Sequence, residues 1–184
     1  QSIEMTACVS CTAGMYVSVA EATACLSCSA GNYASGTGMA NCVSCLAGTY
    51  VAVTGGAACT SCLAGTYVSV TGGTTCSLCP TGAYASGIGS AQCAACLAGS
   101  YASATGMTVC ASCMWGKYGS TSGTTSESEA CPSLCSAGSY NSAFGATSCS
   151  TCPAGSYTTS SGAFKCIVCS AGKYGTVAGA TSDN

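Results

Sequence analysis

The chain has little charge, few aromatic residues other than tyrosine, and no long apolar run. Among 184 residues there are three lysines, no arginine, no histidine and five acidic residues. Binding to nucleic acid needs a basic surface that neutralises phosphates, and three lysines cannot supply one. A membrane-spanning helix needs about 18 or more consecutive apolar residues, and the sequence contains no such run. We therefore expect no nucleic-acid partner and no membrane span.

The absence of histidine also bears on catalysis. Without it, neither a Ser-His-Asp nor a Cys-His arrangement can form. Glu127 and Glu129 lie in a serine-rich stretch, and no pocket pattern accompanies them as paired catalytic carboxylates. The many glycines recur with a fixed spacing, which is typical of turns rather than of a phosphate-binding loop. We therefore expect no enzymatic activity, no catalytic residue and no cofactor.

Large aromatic side chains are scarce, whereas cysteine is abundant. Two phenylalanines and one tryptophan are too few for an aromatic core, so we expect the ten tyrosines to provide most of the bulky buried surface. Twenty cysteines make up about 11% of the chain, a density typical of secreted disulfide scaffolds. We expect an extracellular or cell-surface protein whose secretion signal was removed before Gln1.

Cysteine pairs of the form C-x-x-C recur along the chain at one constant spacing, the spacing that separates Cys8 from Cys25. The period is interrupted at Cys131 and Cys135 and then resumes. Internal repeats of this kind decide the fold, because each unit must stack on its neighbours to bury a core. We predict one tandem array over residues 1–184, with an irregular insertion at 114–135. Its repeats begin near Cys8, Cys25, Cys42, Cys59, Cys76, Cys93, Cys110, Cys131, Cys149 and Cys166.

Glycine and tyrosine follow the same period. Each repeat has a glycine three residues after its second cysteine and a tyrosine two residues later, as in Gly48 and Tyr50. A second glycine lies five residues past the tyrosine in nine repeats, and Glu21 takes that place in the first. Glycine suits a turn that needs positive φ, and segments such as Tyr50 to Val53 alternate with the period of a strand.

These patterns predict a fold class. Each repeat should form a small hairpin that cannot bury a core alone, with the tyrosine ring as the packing unit between repeats. We predict a small disulfide-rich repeat protein, an elongated solenoid or rod of about ten 17-residue β-hairpin-like repeats with little helix.

Zinc binding and dithiol redox chemistry are the alternatives to structural disulfides. The C-x-x-C pairs lie near the spacing of a zinc ribbon, but five tetrathiolate sites would carry about ten negative charges on a chain with three lysines. A redox C-x-x-C belongs to a βαβ context, which this sequence lacks. We therefore expect structural disulfides and no metal site.

Two disulfide ladders fit the spacing. In one, equivalent cysteines of adjacent repeats pair, such as Cys8 with Cys25, and all twenty cysteines are used. In the other, the second cysteine of each pair bonds the first cysteine of the next. Each bond then closes a loop of about 15 residues, which stabilises the folded state by roughly 3 kcal/mol. We favour this second ladder because it treats every repeat alike. It pairs Cys11 with Cys25, Cys28 with Cys42, Cys45 with Cys59, Cys62 with Cys76, Cys79 with Cys93, Cys96 with Cys110, Cys113 with Cys131, Cys135 with Cys149, and Cys152 with Cys166.

The favoured ladder leaves Cys8 and Cys169 unpaired. A further partner for Cys169 would fall at position 183, which is Asp183. We hypothesise that Cys169 of one subunit bonds Cys8 of the next, a head-to-tail contact that propagates into a filament. The alternative is that the chain is a piece of a longer array, with both partners outside it.

The motif C-x-A-G-x-Y, followed by a cysteine at the distance that separates Cys11 from Cys25, resembles the ephrin-receptor-like cysteine-rich repeat. It is also similar to the single-disulfide module of tumour necrosis factor receptor ectodomains. The resemblance extends from Cys8 to about Gly179. It implies extracellular modules that stack into elongated ectodomains, and it implies disulfides between cysteines spaced in this way.

The insertion and the sparse charge complete the functional prediction. Trp115, Lys117, Glu127 and Glu129 are a candidate contact loop, because they bring together the densest charge in the chain; a tolerated surface insertion is the alternative. We predict a structural subunit of an extracellular filament, appendage or surface coat, whose partners are copies of itself, with O-linked glycans on its many serines and threonines. A ligand-binding or adhesive stalk module of a larger cell-surface receptor is the second prediction.

Overall fold

The structure, a computed structural model, describes residues 8–183. Its regular elements are eighteen two-residue strands and one short helix. The strands are β1 (Met15–Tyr16), β2 (Leu26–Ser27), β3 (Asn32–Tyr33), β4 (Val43–Ser44), β5 (Thr49–Tyr50), β6 (Thr60–Ser61), β7 (Thr66–Tyr67), β8 (Ser77–Leu78), β9 (Ala83–Tyr84), β10 (Ala94–Ala95), β11 (Ser100–Tyr101), β12 (Ala111–Ser112), β13 (Lys117–Tyr118), β14 (Ser133–Leu134), β15 (Ser139–Tyr140), β16 (Ser150–Thr151), β17 (Ser156–Tyr157) and β18 (Ile167–Val168). The helix, α1, spans Glu127–Ala130 between β13 and β14.

The strands pair as nine antiparallel hairpins within the described residues. The first strand of each hairpin ends at the tyrosine of a repeat, and the second strand follows the first cysteine of the next repeat. Tyr50, for example, lies opposite Thr60. This arrangement confirms the predicted disulfide-rich fold of tandem hairpin repeats with almost no helix.

The expected strand from Tyr50 to Val53 was wrong in its extent, because β5 ends at Tyr50. The backbone of Val51 bonds neighbouring repeats instead of the hairpin: its N–H donates to the Gly73 carbonyl and its carbonyl accepts from the Gly31 N–H. The alternation in the sequence therefore reflects burial, since Val51 is buried and Val53 is exposed. It does not indicate a longer strand.

Both glycine positions of the repeat have left-handed backbone. The glycine before the tyrosine has φ between 76° and 89° in all ten repeats, and the second glycine has φ between 70° and 80° in nine. Glu21 replaces the second glycine of the first repeat and has a φ of 62°. The turn therefore keeps its geometry even where a residue with a side chain replaces glycine. The left-handed backbone costs such a residue about 1–2 kcal/mol.

The core consists of cystine sulfur and small side chains. The second cysteine of nine repeats is at most 3% exposed, and the residue after the tyrosine is also buried in most repeats, as with Ala34 and Ala102. The tyrosines do not provide the fully buried surface expected of them: nine are half-buried, and Tyr174 is 86% exposed. The reason is the thinness of each repeat, in which the disulfide already fills the interior. Tyr101 nevertheless packs against the core, so the role of the ring in packing between repeats stays a prediction.

Eight disulfides link a second cysteine to the first cysteine of the next repeat. Seven join residues 14 apart, and the bond across the insertion, Cys113–Cys131, joins residues 18 apart. Cys79 and Cys93 are disulfide-bonded as well. The seven bonds between residues 14 apart are Cys11–Cys25, Cys28–Cys42, Cys45–Cys59, Cys62–Cys76, Cys96–Cys110, Cys135–Cys149 and Cys152–Cys166.

Within each unit, a repeat can contact both of the next two repeats along the chain. The Gly31 N–H donates to the carbonyl of Val51 in the following repeat, at 2.8 Å. A Cβ placed on Gly31 would overlap the carbonyl oxygen of Gly72, which belongs to the repeat after that. The same overlap recurs at equivalent glycines of both units, such as Gly48 and Gly116. Glycine at this position therefore allows the close approach on which the stacking depends.

The chain divides into two compact units with the same hairpin construction. One comprises the residues up to Leu78 together with Gly87–Cys93, and the other comprises Cys79–Ser86 together with the residues from Ala94 onward. The second unit contains the insertion and α1. Across residues 8–183, no helix has the length and apolar character needed to cross a membrane.

Candidate contact surfaces and terminal thiols

The acidic residues of the insertion stabilise its own helix. Ser126 caps α1 by accepting a hydrogen bond from the Glu129 N–H, and the Glu129 carboxylate accepts from the N–H and the hydroxyl of Thr125 at 3.0 and 2.9 Å. These bonds from Thr125 lower the pKa of Glu129 below its ordinary value. The arrangement is close to a capping box, S-x-x-E, a signal that was present in the sequence and was not used.

Glu127 and Lys117 pair with each other. The Lys117 Nζ lies 2.7 Å from the Glu127 Oε1, and the two side chains are 38% and 43% exposed. The Asn141 side chain donates to the Lys117 carbonyl at 2.9 Å, which holds β13 against the next repeat. Three of the four residues in the predicted contact loop are therefore engaged within the chain: Lys117 and Glu127 pair with each other, and Glu129 accepts hydrogen bonds from Thr125 while keeping its negative charge.

The insertion also adds to the core. Ala130, at the end of α1, is fully buried against the Cys113–Cys131 disulfide, with Tyr101 packed beside it. Gly119 makes this possible, because a Cβ there would overlap the Ala130 carbonyl oxygen. The insertion is therefore packed into the core of the second unit.

Trp115 remains at the surface and meets an aromatic ring that the sequence analysis did not single out. The Trp115 and Phe164 ring centroids lie 5.0 Å apart with the planes tilted by 59°, and the side chains are 43% and 46% exposed. The Lys165 Nζ lies 5.4 Å from the centroid of Phe164, a cation–π contact. We call these three residues the aromatic cluster.

Lys165 differs from the other two lysines. Lys117 pairs with Glu127 and Lys173 pairs with Asp183, whereas Lys165 has no acidic partner among residues 8–183. Phe164 and Lys165 follow the second glycine of their repeat, where the repeat beginning at Cys59 has two threonines. That departure from the repeat was the signal in the sequence that could have identified the cluster.

The two cysteines left over by the ladder are free thiols. Cys8 is exposed and Cys169 is half-buried. Asp183 follows Cys169 at the spacing that separates bonded cysteines such as Cys11 and Cys25. Its carboxylate accepts from the N–H and the hydroxyl of Ser170 at 3.1 and 2.7 Å, and the Lys173 Nζ lies 3.4 Å from the same carboxylate. A polar clamp thus closes the last loop at the position that a cystine has in the other repeats.

The glycines before the tyrosines of the last two repeats differ from those earlier in the second unit. A Cβ on Gly155 or Gly172 would meet nothing within 4 Å, in contrast to the equivalent glycines earlier in the second unit. Tyr174 is 86% exposed.

A long charge-free stretch was also overlooked by the sequence analysis. Residues 22–116 contain no lysine, arginine, aspartate or glutamate. Within the first unit, Leu46 and Leu63 occupy the position after the second cysteine of successive repeats and are each 72% exposed. Val53 and Val70 form a similar pair, at 66% and 60%. These apolar side chains are exposed at equivalent positions of successive repeats, with no charged residue between them in the sequence, which makes them a candidate surface for contact with another protein.

The repeat sequence matches a known family model. The family model described as tyrosine-protein kinase ephrin type A/B receptor-like matches residues 31–74, 48–91, 65–106, 126–165 and 145–184, which together cover well over half the chain. The chain belongs to this family. The ephrin-receptor-like repeat is a non-catalytic extracellular module, so the repeats and the many disulfides favour an extracellular location. No curated protein matches the chain.

Proposed function

We propose that this ephrin-receptor-like repeat chain is a structural subunit of an extracellular filament, appendage or surface coat. The observation that carries the proposal is the charge-free stretch over residues 22–116 with its exposed leucines and valines at equivalent positions of successive repeats. A monomeric surface usually mixes charges of both signs to remain dispersed. A surface without them favours packing against copies of the same chain, because no charge must be desolvated on contact.

Charge substitution tests the lateral contact. Leu46→Lys removes an exposed apolar side chain and adds a charge. Because Leu46 is 72% exposed, we expect the variant to keep its fold. Ser29→Lys is the matched control, because Ser29 has the same position in the preceding repeat and is also exposed. We expect light scattering to show that Leu46→Lys suppresses assembly far more than Ser29→Lys does. Equal effects would mean that net charge alone, rather than the leucine surface, governs association.

We further propose that Cys169 of one subunit bonds Cys8 of the next. In such a contact Gly155 and Gly172 would meet the first repeats of the second copy, as Gly138 meets Gly179 within the chain. The bond requires the Asp183 clamp to open, since Asp183 has the ladder position relative to Cys169.

Cysteine placement provides the test of the head-to-tail bond. Asp183→Cys should capture Cys169 within the chain and abolish covalent multimers, whereas Asp183→Ala should accelerate their formation. Intact mass without and with reductant distinguishes the two results. Multimers that persist in a Cys169→Ser variant at the size seen for the native chain would overturn the proposal.

The aromatic cluster favours a second candidate function, a ligand-binding or adhesive stalk module of a larger cell-surface receptor. Exposed tryptophan is common at binding sites, and the cluster lies outside the charge-free stretch apart from Trp115 itself. O-linked glycans on exposed serines and threonines are compatible with either function, and mass analysis before and after removal of O-glycans would detect them.

A further inference from the structure

A groove beside the aromatic cluster combines features of a small-molecule site. It has a volume of about 290 Å³ and its lining includes Thr159, Ser160, Phe164 and Lys165. This size is just below the range of about 300–1,000 Å³ that is usual for ligand sites in proteins. The lining thus combines an aromatic ring, two side chains with hydroxyl groups and a lysine.

The same position in another repeat provides an internal comparison. In the first unit, a groove of about 310 Å³ is lined by Tyr67 to Ser77, and Thr74 and Thr75 stand where Phe164 and Lys165 stand in the second unit. The concavity is therefore a property of the repeat. The ring and the cation are specific additions in one copy, and Trp115 extends the ring surface through its contact with Phe164.

We propose that this groove binds an acidic saccharide, a sugar ring with a carboxylate or sulfate substituent. The C–H face of a pyranose packs on the face of an aromatic ring, since the partial positive charge of its hydrogens meets the negative face of the ring. On Phe164 the sugar would replace the Lys165 ammonium, which lies over this ring in the free protein. The sugar hydroxyls meet Thr159 and Ser160. The acidic substituent meets Lys165, the lysine that no carboxylate neutralises within residues 8–183.

The alternatives fit the groove less well. An extended peptide or protein partner needs about 800 Å² of surface on each side, whereas the cluster consists of two rings and one cation. An anionic membrane surface is recognised by several basic residues together, and one unpaired lysine does not provide them. The proposal does not depend on self-assembly, because the groove lies in residues 158–167 and the charge-free stretch ends at residue 116.

Trp115 makes the test direct, because it is the single tryptophan of the chain and its fluorescence reports on this cluster alone. The probes are a hyaluronan tetrasaccharide, the same tetrasaccharide with its carboxylates reduced to alcohols, and polyglutamate. We expect saturable fluorescence changes with the acidic sugar and about tenfold weaker binding of the neutral one, since hydrogen bonds to a charged group are stronger. Polyglutamate should produce no saturable change.

Two variants assign the roles of the residues. Phe164→Thr combined with Lys165→Thr reproduces the residues of the repeat at Thr74 and Thr75, so the fold should be retained, and we expect binding to be lost. Lys165→Gln should bind the acidic and the neutral sugar about equally. A chain whose fluorescence responds to neither sugar, or responds to polyglutamate as strongly as to hyaluronan, would overturn the proposal. A fluorescence change that appears only as protein concentration rises would assign the cluster to contact between copies and would also overturn it.

Discussion

Substituting alanine for glycine in two adjacent repeats should separate the cost of backbone conformation from the cost of broken stacking. Gly138 and Gly155 precede the tyrosine of neighbouring repeats, and both have a φ of 80°. A Cβ on Gly138 would overlap the Gly179 carbonyl oxygen, whereas a Cβ on Gly155 would meet nothing within 4 Å. The two positions therefore differ in what lies against them and not in their own backbone.

The magnitudes follow from these contacts. Left-handed backbone costs an alanine about 1–2 kcal/mol at either position. At Gly138 the overlap adds about 1–3 kcal/mol, and displacement of its N–H from the Thr158 carbonyl and hydroxyl adds about 1 kcal/mol. Gly138→Ala should thus cost about 2–4 kcal/mol more than Gly155→Ala, which is roughly 30- to 700-fold in the local opening equilibrium.

Hydrogen exchange of the oxidised protein, followed by mass spectrometry, measures this opening directly. The amide of Gly179, which donates to the Cys152 carbonyl at 2.8 Å, should exchange far faster in Gly138→Ala than in Gly155→Ala. Intact mass must show the same number of disulfides in both variants, so that the comparison concerns packing alone. Equal acceleration in the two variants would refute the inference that a repeat packs against the repeat two further along the chain.

The other predictions concern single residues whose conformation or charge is unusual. Glu21→Gly should raise the stability of the first repeat by about 1 kcal/mol, because Glu21 has a φ of 62°; thermal unfolding should show a higher midpoint, and Gly38→Glu a lower one. Lys117→Met should cost less than about 1 kcal/mol in denaturant titrations, because exposed ion pairs contribute little, and a several-fold larger loss would mean that the pair organises the insertion. The Ser170 hydroxyl and N–H hold the pKa of Asp183 below its ordinary value of 3.8, so the clamp stabilises the fold above that pH and is lost as pH falls through the lower folded value. An NMR titration of the Ser170 amide should therefore have a midpoint below 3.8, and a midpoint above it would contradict the clamp.

Repeat length, hairpin construction and family were accessible from the sequence because each depends on local spacing. A glycine at a fixed distance from cysteine and tyrosine marks a turn wherever it occurs, and ten copies make the pattern unambiguous. Strand extent was predicted less well at Tyr50 to Val53, since the alternation there reflects burial and the hydrogen bonds of Val51 go to other repeats.

The aromatic cluster was also only partly accessible from the sequence, because its residues are distant in the chain. Trp115 was identified from its unusual position, but its partner Phe164 lies two repeats further along the chain, and no local pattern brings the two rings together. The charges grouped with Trp115 proved to cap α1 or to pair with each other, because the geometry of the insertion turns them toward the chain.

The sequence by itself determined the hairpin, the turn geometry and the disulfide-rich class, all of which arise from interactions between residues within one repeat or at the junction with the next. Only the tertiary structure decided that cystine sulfur rather than tyrosine fills the interior, that a repeat packs against the second repeat along the chain, and that Trp115, Phe164 and Lys165 share one surface. These features depend on how far successive repeats turn and advance. That geometry is set by backbone contacts such as those of Gly31 with Val51 and Gly72. Apart from the glycine itself, no residue pattern in the sequence indicates these contacts.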